Sequence, residues 1–252
     1  EDIPPPSHQG LEIRRELSWF NPLSWVRAGL RLQSPLLILQ WWSLPLFPVY
    51  TTVALVARLR GIRVVTTLHN ITPHSGRSRA YRLATRLILM LSQRAIVHSE
   101  RNAEQLKTEL HQKGQQILVL PMGAPDFRQG RPVDRAASRR RLALPADRPI
   151  LLMFGALRDY KGLDVGLAAM RAIVETIPGA LLLVAGQPWR EESFYQETVR
   201  QQGLADNVRL DLEYIPEEAI HDYFSAADLL LLPYTHFDAQ SGVGVGALPY
   251  GL

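Results

Sequence analysis

The chain has 252 residues, 46% of them hydrophobic and 21% charged, which excludes wholesale disorder and leaves room for two modest domains or one large one. Cys is absent, so a disulfide framework, a thiolate metal site and a Cys nucleophile are all excluded, and a reducing compartment fits. The formal net charge is +4, and the positive charge belongs to the first half. No acidic residue lies between Glu16 and Glu100, whereas Arg27, Arg31, Arg58, Arg60, Arg63, Arg77, Arg79, Arg82, Arg86 and Arg94 all lie there. Such an asymmetry points to an anionic partner: lipid headgroups, an acidic substrate or nucleic acid. A solvated Arg-rich surface is the alternative.

The stretch from Glu1 to Gly10 is polar and Pro-rich and shows no signal peptide. The apolar run from Pro35 to Ala57 is broken by Gln40, Ser43, Pro45 and Pro48, so it reads as a strand, a turn and a helix rather than a membrane span. Leu36–Gln40 is the strand. Phe47 to Arg60 is the helix, with basic residues in its last turn and Gly61 after it. Arg63–His69 is a β-branched strand running into the polar loop Asn70 to Ser78. Arg79 to Gln93 is helical: Tyr81, Ala84, Ile88 and Leu91 form an apolar stripe, and Arg79, Arg82 and Arg86 lie on another face. A strand at Ala95–His98, a helix from Ser99 or Glu100 to near Gly114, and a strand at Ile117–Leu120 follow.

The rhythm breaks between Pro121 and Pro149, a Pro-rich stretch with the basic run Arg139-Arg140-Arg141, read as a loop, a short helix and a linker. It then restarts. Strands are expected at Pro149–Phe154, Ala180–Ala185, Val208–Glu213 and Leu229–Leu232, and helices at Leu163–Thr176, Glu191–Gln202 and Pro216–Ser225, with Pro233 to Gly246 as a closing loop. Short apolar strands alternating with helices are the signature of parallel α/β sheets, here two in tandem. The expected domains are 1–125, a linker over 126–148, and 149–252.

Three segments could carry chemistry. Gly155-Ala156-Leu157-Arg158-Asp159-Tyr160-Lys161-Gly162 follows a buried strand and precedes a helix, at the carboxyl edge of a parallel sheet where such folds bind ligands. Its glycines, guanidinium and ammonium suit a phosphate or diphosphate; an ordinary charged βα loop is the alternative. Asp238-Ala239-Gln240-Ser241-Gly242-Val243-Gly244-Val245-Gly246 also follows a strand and offers backbone N–H groups to an oxyanion or a nucleotide. His69-Asn70 ends a strand of the first half; His74 and His98 are placed less clearly. No cluster of His and acids has metal-ligand spacing, so no metal site is expected. The G-x-S-x-G, Walker A and Rossmann G-x-G-x-x-G patterns are absent.

Together these residues resemble the GT-B glycosyltransferases, specifically the retaining group known as family GT4, over Leu36 to Leu252. "ILLMFGALRDYKGLDVGLAAM" is similar to the family's strand, Gly-loop and helix with a Lys-Gly pair. "ADLLLLPY" followed by "QSGVGVGALPYG" is similar to its donor-phosphate segment, "LVLPMGAPDF" to its interdomain hinge and "VVTTLHN" to its His-bearing strand. The resemblance implies an α/β fold of two Rossmann-like domains facing across a cleft, here incomplete at both termini, with the nucleotide-sugar donor on the second and the acceptor on the first. It implies that Arg158 and Lys161 bind the diphosphate and stabilise it as it leaves, that backbone groups near Gly155 and in Ser241, Gly242 and Val243, with Gln240 beside them on the donor, cradle phosphates and sugar, that the backbone around Tyr214 and Ile215 meets the base, and that His69 contacts the donor sugar or its transition state.

The same resemblance implies a sugar transfer with retention of configuration to a lipid-linked or polysaccharide acceptor, with no cofactor beyond the nucleotide-sugar substrate. Location would be cytoplasmic, at the inner face of an anionic membrane, through Trp41, Trp42 and the Arg79, Arg82, Arg86 face. Two departures stand out. The family's two donor-segment Glu positions fall on Asp238 or Gln240 and on Gly246, and its Gly-Arg pair is Gly155-Ala156. Gly246, with the ends expected to be incomplete, supports a second reading, a non-catalytic or degenerate homologue that binds membrane or a partner but not donor. An epimerase would need paired acids and a His in the cleft, which are not found suitably placed. Nucleic acid is not an expected partner, because the aromatics do not interleave with the Arg residues.

Overall fold

The computed structural model describes residues 12–71, 78–111, 114–235 and 240–252. The chain divides into two compact units, Glu1–Leu120 and Pro121–Leu252.

In the first unit, helix α1 (Pro22–Leu30) is followed by β1 (Leu36–Trp41), α2 (Phe47–Leu59), β2 (Arg63–Leu68), α3 (Arg79–Leu91), β3 (Arg94–Val97), α4 (Glu100–Leu110) and β4 (Ile117–Val119). The four strands form a parallel sheet in the order β1-β2-β3-β4, so their carboxyl ends lie along one edge. Helix α1 had no counterpart in the sequence reading. It starts where Asn21 Oδ1 accepts from Leu23 N, and Pro22 occupies the first turn, where a missing N–H costs nothing.

Trp41 does not reach a membrane face. It is fully buried, its Nε1 donates to Thr85 Oγ1 at 3.0 Å and its ring packs 5.5 Å from Tyr81. The reason is strand periodicity: Leu39 and Trp41 share the inward face, so Trp42 points the other way and is exposed.

The second unit holds α5 (Arg135–Arg141), β5 (Ile150–Phe154), α6 (Leu163–Thr176), β6 (Leu181–Ala185), α7 (Glu192–Gln201), β7 (Val208–Asp211), α8 (Glu217–Ala226), β8 (Leu229–Leu230) and α9 (Gly242–Ala247). Its parallel sheet has the order β7-β6-β5-β8. Helices cover both faces, so β5 and β6 are buried at every position and read as continuous apolar runs. Ile150, Leu152 and Phe154 enter one core, Leu151 and Met153 the other.

Residues 126–148, expected as a linker, pack into the second unit. Arg139 is buried; its guanidinium donates to the carbonyls of Ala226 (3.0 Å) and Ala146 (2.6 Å) and pairs with Asp228 at 2.6 Å. Asp228 Oδ2 also accepts from Ile150 N at 2.8 Å. Arg141 makes a two-pronged pair with Asp222 of α8. The basic run is therefore an anchor that ties α5 to α8 and to the start of β5. The glycine-rich segment from 242 is also helical rather than loop, because Ser241 Oγ caps it by accepting from Gly244 N at 3.1 Å.

Arg139→Ala leaves two carbonyls without their donor and Asp228 with only Ile150 N and the longer, exposed pair with Arg135 at 3.3 Å. We expect a loss of about 3 kcal/mol in urea unfolding with an unchanged m-value, against less than about 1 kcal/mol for the exposed Arg140→Ala.

Candidate functional site

In the second sheet, β5 leads through α6 to β6 on one side and pairs with β8 on the other. The strand order reverses at β5, and in open α/β sheets the crevice at the carboxyl ends beside such a reversal is the ligand site. Gly155 to Gly162 starts at that point.

Lys161 sits at its centre. Its side chain is buried, and Nζ donates to the carbonyl of Phe154 at 3.0 Å and to the Tyr234 hydroxyl at 3.1 Å, with the Tyr234 ring centroid 5.1 Å away. Two glycines make this possible. A Cβ on Gly155, whose φ is +94°, would lie 3.1 Å from Nζ. Gly162, at φ +69°, lets the Pro233 carbonyl approach to where a Cβ would be, 2.1 Å from it. The Lys-Gly pair is thus a packing requirement: the residue after the ammonium must have no side chain for the β8 loop to close over it. Thr235 N donating to the Tyr160 carbonyl at 3.0 Å closes the same loop.

Burial pulls the Lys161 pKa down from 10.5 to about 8, and the charge of Arg158 adds to the effect. Burial raises the Tyr234 pKa, so its phenol stays protonated. With its oxygen accepting from Lys161, the Tyr234 proton is available to Ser241 Oγ, 3.3 Å away.

Lys161 lines two cavities, each of about 340 Å³. One, toward β8 and α9, is walled by Phe127, Phe154, Tyr160, Phe224 and Tyr234 and carries Ser241, Gly242 and Val243. The other, toward α7, contains Arg158, Asp159 and Arg190. Arg158 is exposed, its guanidinium lying 4.4 Å over the ring of Trp189; Arg190 makes a two-pronged pair with Asp159 at 3.1 and 2.9 Å.

The structure therefore gathers Gly155, Lys161, Ser241, Gly242 and Val243, and places Arg158 on the far side of the ammonium. Gln240 is beside them, with Oε1 accepting from Met122 N at 2.8 Å. Tyr214 and Ile215 do not line either cavity. Tyr214 is exposed in the loop after β7, and Ile215 is buried among Phe154, Tyr223 and Phe224 because the chain turns inward there to start α8. Asp238 and His74 lie outside the described residues. Tyr234, Phe127 and Trp189 are not among the expected site residues, although Tyr234 closes the run "ADLLLLPY" and Phe127 closes "LVLPMGAPDF".

In the first unit, His69 follows β2. Its Nε2 is 2.7 Å from Gln40 Oε1, which puts a proton on Nε2, and burial, then the neighbouring His98, lower its pKa. The ring lies 5.6 Å from Trp42 and 5.2 Å from His98. His98 Nδ1 donates to the Leu120 carbonyl at 2.9 Å, and among the described residues its buried Nε2 has no partner. Among those residues, no group of three or more His, Asp or Glu is placed to hold a metal ion.

Residues 134–246 match the family model described as glycosyl transferases group 1. A D-inositol 3-phosphate glycosyltransferase of Thermobispora bispora is 29% identical over 154 residues, covering 58% of this chain and 36% of that protein. A 2-deoxystreptamine N-acetyl-D-glucosaminyltransferase of Streptomyces fradiae is 30% identical over 212 residues, covering 78% and 48%. Among solved structures, Anabaena HepE in complex with UDP superposes with a TM-score of 0.71 at 17% identity, over 91% of this chain and 61% of that one. WaaG, a glycosyltransferase involved in lipopolysaccharide biosynthesis, gives 0.62 at 19%, over 81% and 62%. Residues 134–246 thus resemble a group 1 glycosyl transferase segment, and the chain has the α/β fold seen in GT-B glycosyltransferase structures. It spans about a third to a half of the length of these curated relatives.

Because the Lys161 pKa lies below its ordinary value, the unfolded chain holds the extra proton between pH 8 and 10.5, and folding stability rises with pH across that window. The chain has three lysines, Lys107, Lys113 and Lys161, so carbon-labelled reductive methylation with NMR detection resolves each one. Besides the α-amino group, which ordinarily titrates at about 8, we expect one lysine amine titrating near pH 8, lost in Lys161→Arg and shifted upward in Arg158→Gln. Three amines titrating together at the ordinary value would contradict the burial of Nζ.

Proposed function

We propose that the chain is the nucleotide-sugar-binding part of a retaining glycosyltransferase that passes a sugar to a lipid-linked or polysaccharide acceptor at a membrane surface. The observation that carries this reading is the ammonium of Lys161, desolvated and held by Phe154 and Tyr234 at the strand-order reversal of a group 1 glycosyl transferase segment. Such a group is oriented before any ligand arrives. An anionic diphosphate there meets a fixed cation in a low-dielectric site, where donors aimed at developing charge are worth most. As the bond from sugar to phosphate breaks, Lys161 and Arg158 stabilise the added negative charge from two sides. Retention would follow if the leaving phosphate itself takes the acceptor proton on the same face. His69, with its proton on Nε2 toward Gln40, would keep a bare Nδ1 for a donor-sugar hydroxyl.

The membrane part rests on α3. Its buried face is Tyr81, Ala84, Thr85, Ile88 and Leu89. The opposite face mixes Arg79 with exposed Leu83, Leu87 and Met90, and Arg82 and Arg86 flank it half-buried. Cations beside apolar side chains on one helical face suit the headgroup region of an anionic bilayer. Among the described residues no helix is long and apolar enough to cross a membrane. A small cyclic acceptor such as D-inositol 3-phosphate or 2-deoxystreptamine is the second reading, favoured by the names of the two relatives described above. Transfer assays with each acceptor separate the two, and a folded chain with neither nucleotide binding nor transfer would favour a non-catalytic homologue.

Calorimetry with uridine, guanosine and adenosine diphosphates tests the phosphate site. Lys161→Ala should weaken the tightest of them by about a hundredfold and Arg158→Ala by about tenfold. Affinity of the wild type should fall above pH 8 as free Lys161 loses its proton, by at most about tenfold per pH unit, and Lys161→Gln should remove that slope. Unchanged affinity in both alanine variants would reject the assignment. Replacing Arg79, Arg82 and Arg86 by Gln should cut co-sedimentation with anionic vesicles more than about tenfold, at about 1 kcal/mol per residue; equal sedimentation would remove the role of that face.

A further inference from the structure

The segment 121–127, which the sequence likens to an interdomain hinge, folds back onto α9. Met122 N donates to Gln240 Oε1 at 2.8 Å, and Met122 Sδ is 3.7 Å from where a Cβ on Gly242 would be. Phe127 lies against the other end of the helix. A Cβ on Gly246 would sit 2.8 Å from Phe127 Cε2 and 3.3 Å from Pro125 Cγ, so no side chain fits at 246 while that ring is in place. The ring is held there from behind. Its centroid is 5.9 Å from Phe224, which stands edge-on at 5.0 Å from Phe154, the residue before Gly155. Phe127 itself remains only half-buried, and its open side faces the cavity that Lys161 and Ser241 close at the polar end.

That cavity has one cationic, hydroxyl-bearing end and one aromatic end, which matches a ligand with a phosphate group at one end and a flat, weakly polar body at the other. We propose that Phe127 is a donor-recognition residue: the nucleoside half of a nucleoside diphosphate packs against the open side of its ring, in the cavity that Lys161 and Ser241 also line. The proposal rests on the phosphate-site reading above and adds to it which residue grips the part of the donor that carries no charge.

The test compares two probes, inorganic pyrophosphate and the tightest-binding nucleoside diphosphate, by calorimetry on the full chain. Phe127→Leu keeps apolar volume and removes the ring. It should weaken the nucleoside diphosphate about threefold to tenfold and leave pyrophosphate within about twofold. Phe127→Tyr should restore the nucleotide affinity. Gly246→Ala, which drives its Cβ into the ring, should lower nucleotide affinity in the same selective way and serves where Phe127→Leu does not fold. Unchanged nucleotide affinity in Phe127→Leu, or an equal loss for both probes, overturns the proposal while the phosphate site stands. A wild-type chain that binds neither probe overturns the phosphate site and this inference together.

Discussion

Everything at the carboxyl edge of the second sheet is arranged around one buried ammonium. Taking a lysine charge out of water costs several kcal/mol, and neither the Phe154 carbonyl nor the Tyr234 phenol carries a compensating negative charge. The cost shows as the fall of its pKa to about 8. A charge kept under such conditions is incompletely compensated, and an anion arriving beside it relieves the penalty. Gly155 leaves room for Nζ, Gly162 lets the loop after β8 close, and Tyr234 fixes both the ammonium and Ser241. The unfavourable features of this loop are therefore the ones on which the proposed phosphate site rests.

The fold was largely legible because a parallel sheet covered on both faces writes itself as apolar runs separated by helical periods. β5 and β6 were found within one residue at each end, and α6 at both. What failed had local causes. Helix α1 hides behind Pro22 and aromatic residues that do not mark a helix interior, and α9 is too glycine-rich to announce itself. Residues 126–148 looked like a linker because their stabilising contacts are polar: Arg139 reaches backbone carbonyls and Asp228, which hydrophobic periodicity does not see.

The candidate site was legible where it is contiguous. Gly155, Lys161 and Gly162 could be read together because loop geometry links them within eight residues. Tyr234 stands 73 positions from Lys161, and Phe127 meets Gly246 only after both segments have folded onto one core. Such pairs leave no spacing signal in a single sequence. At Tyr214 and Ile215 the resemblance concerns the backbone alone, and their side chains have opposite environments, one exposed and one buried.

The departures from the family pattern also change meaning once packing is known. From sequence, Gly246 reads as the loss of a carboxylate. In the structure, glycine there is what the position of Phe127 requires, since any side chain would collide with the ring. Arg158 supplies a parallel case. The residue after Gly155 is Ala156, and the guanidinium two positions later is laid over Trp189, a side chain of the β6–α7 connection rather than of its own loop. A cation held against an aromatic face keeps its charge available while losing the freedom that a solvated arginine has. The two departures are thus packing features in three dimensions: Gly246 makes room for Phe127, and Arg158 reaches Trp189 of a neighbouring loop.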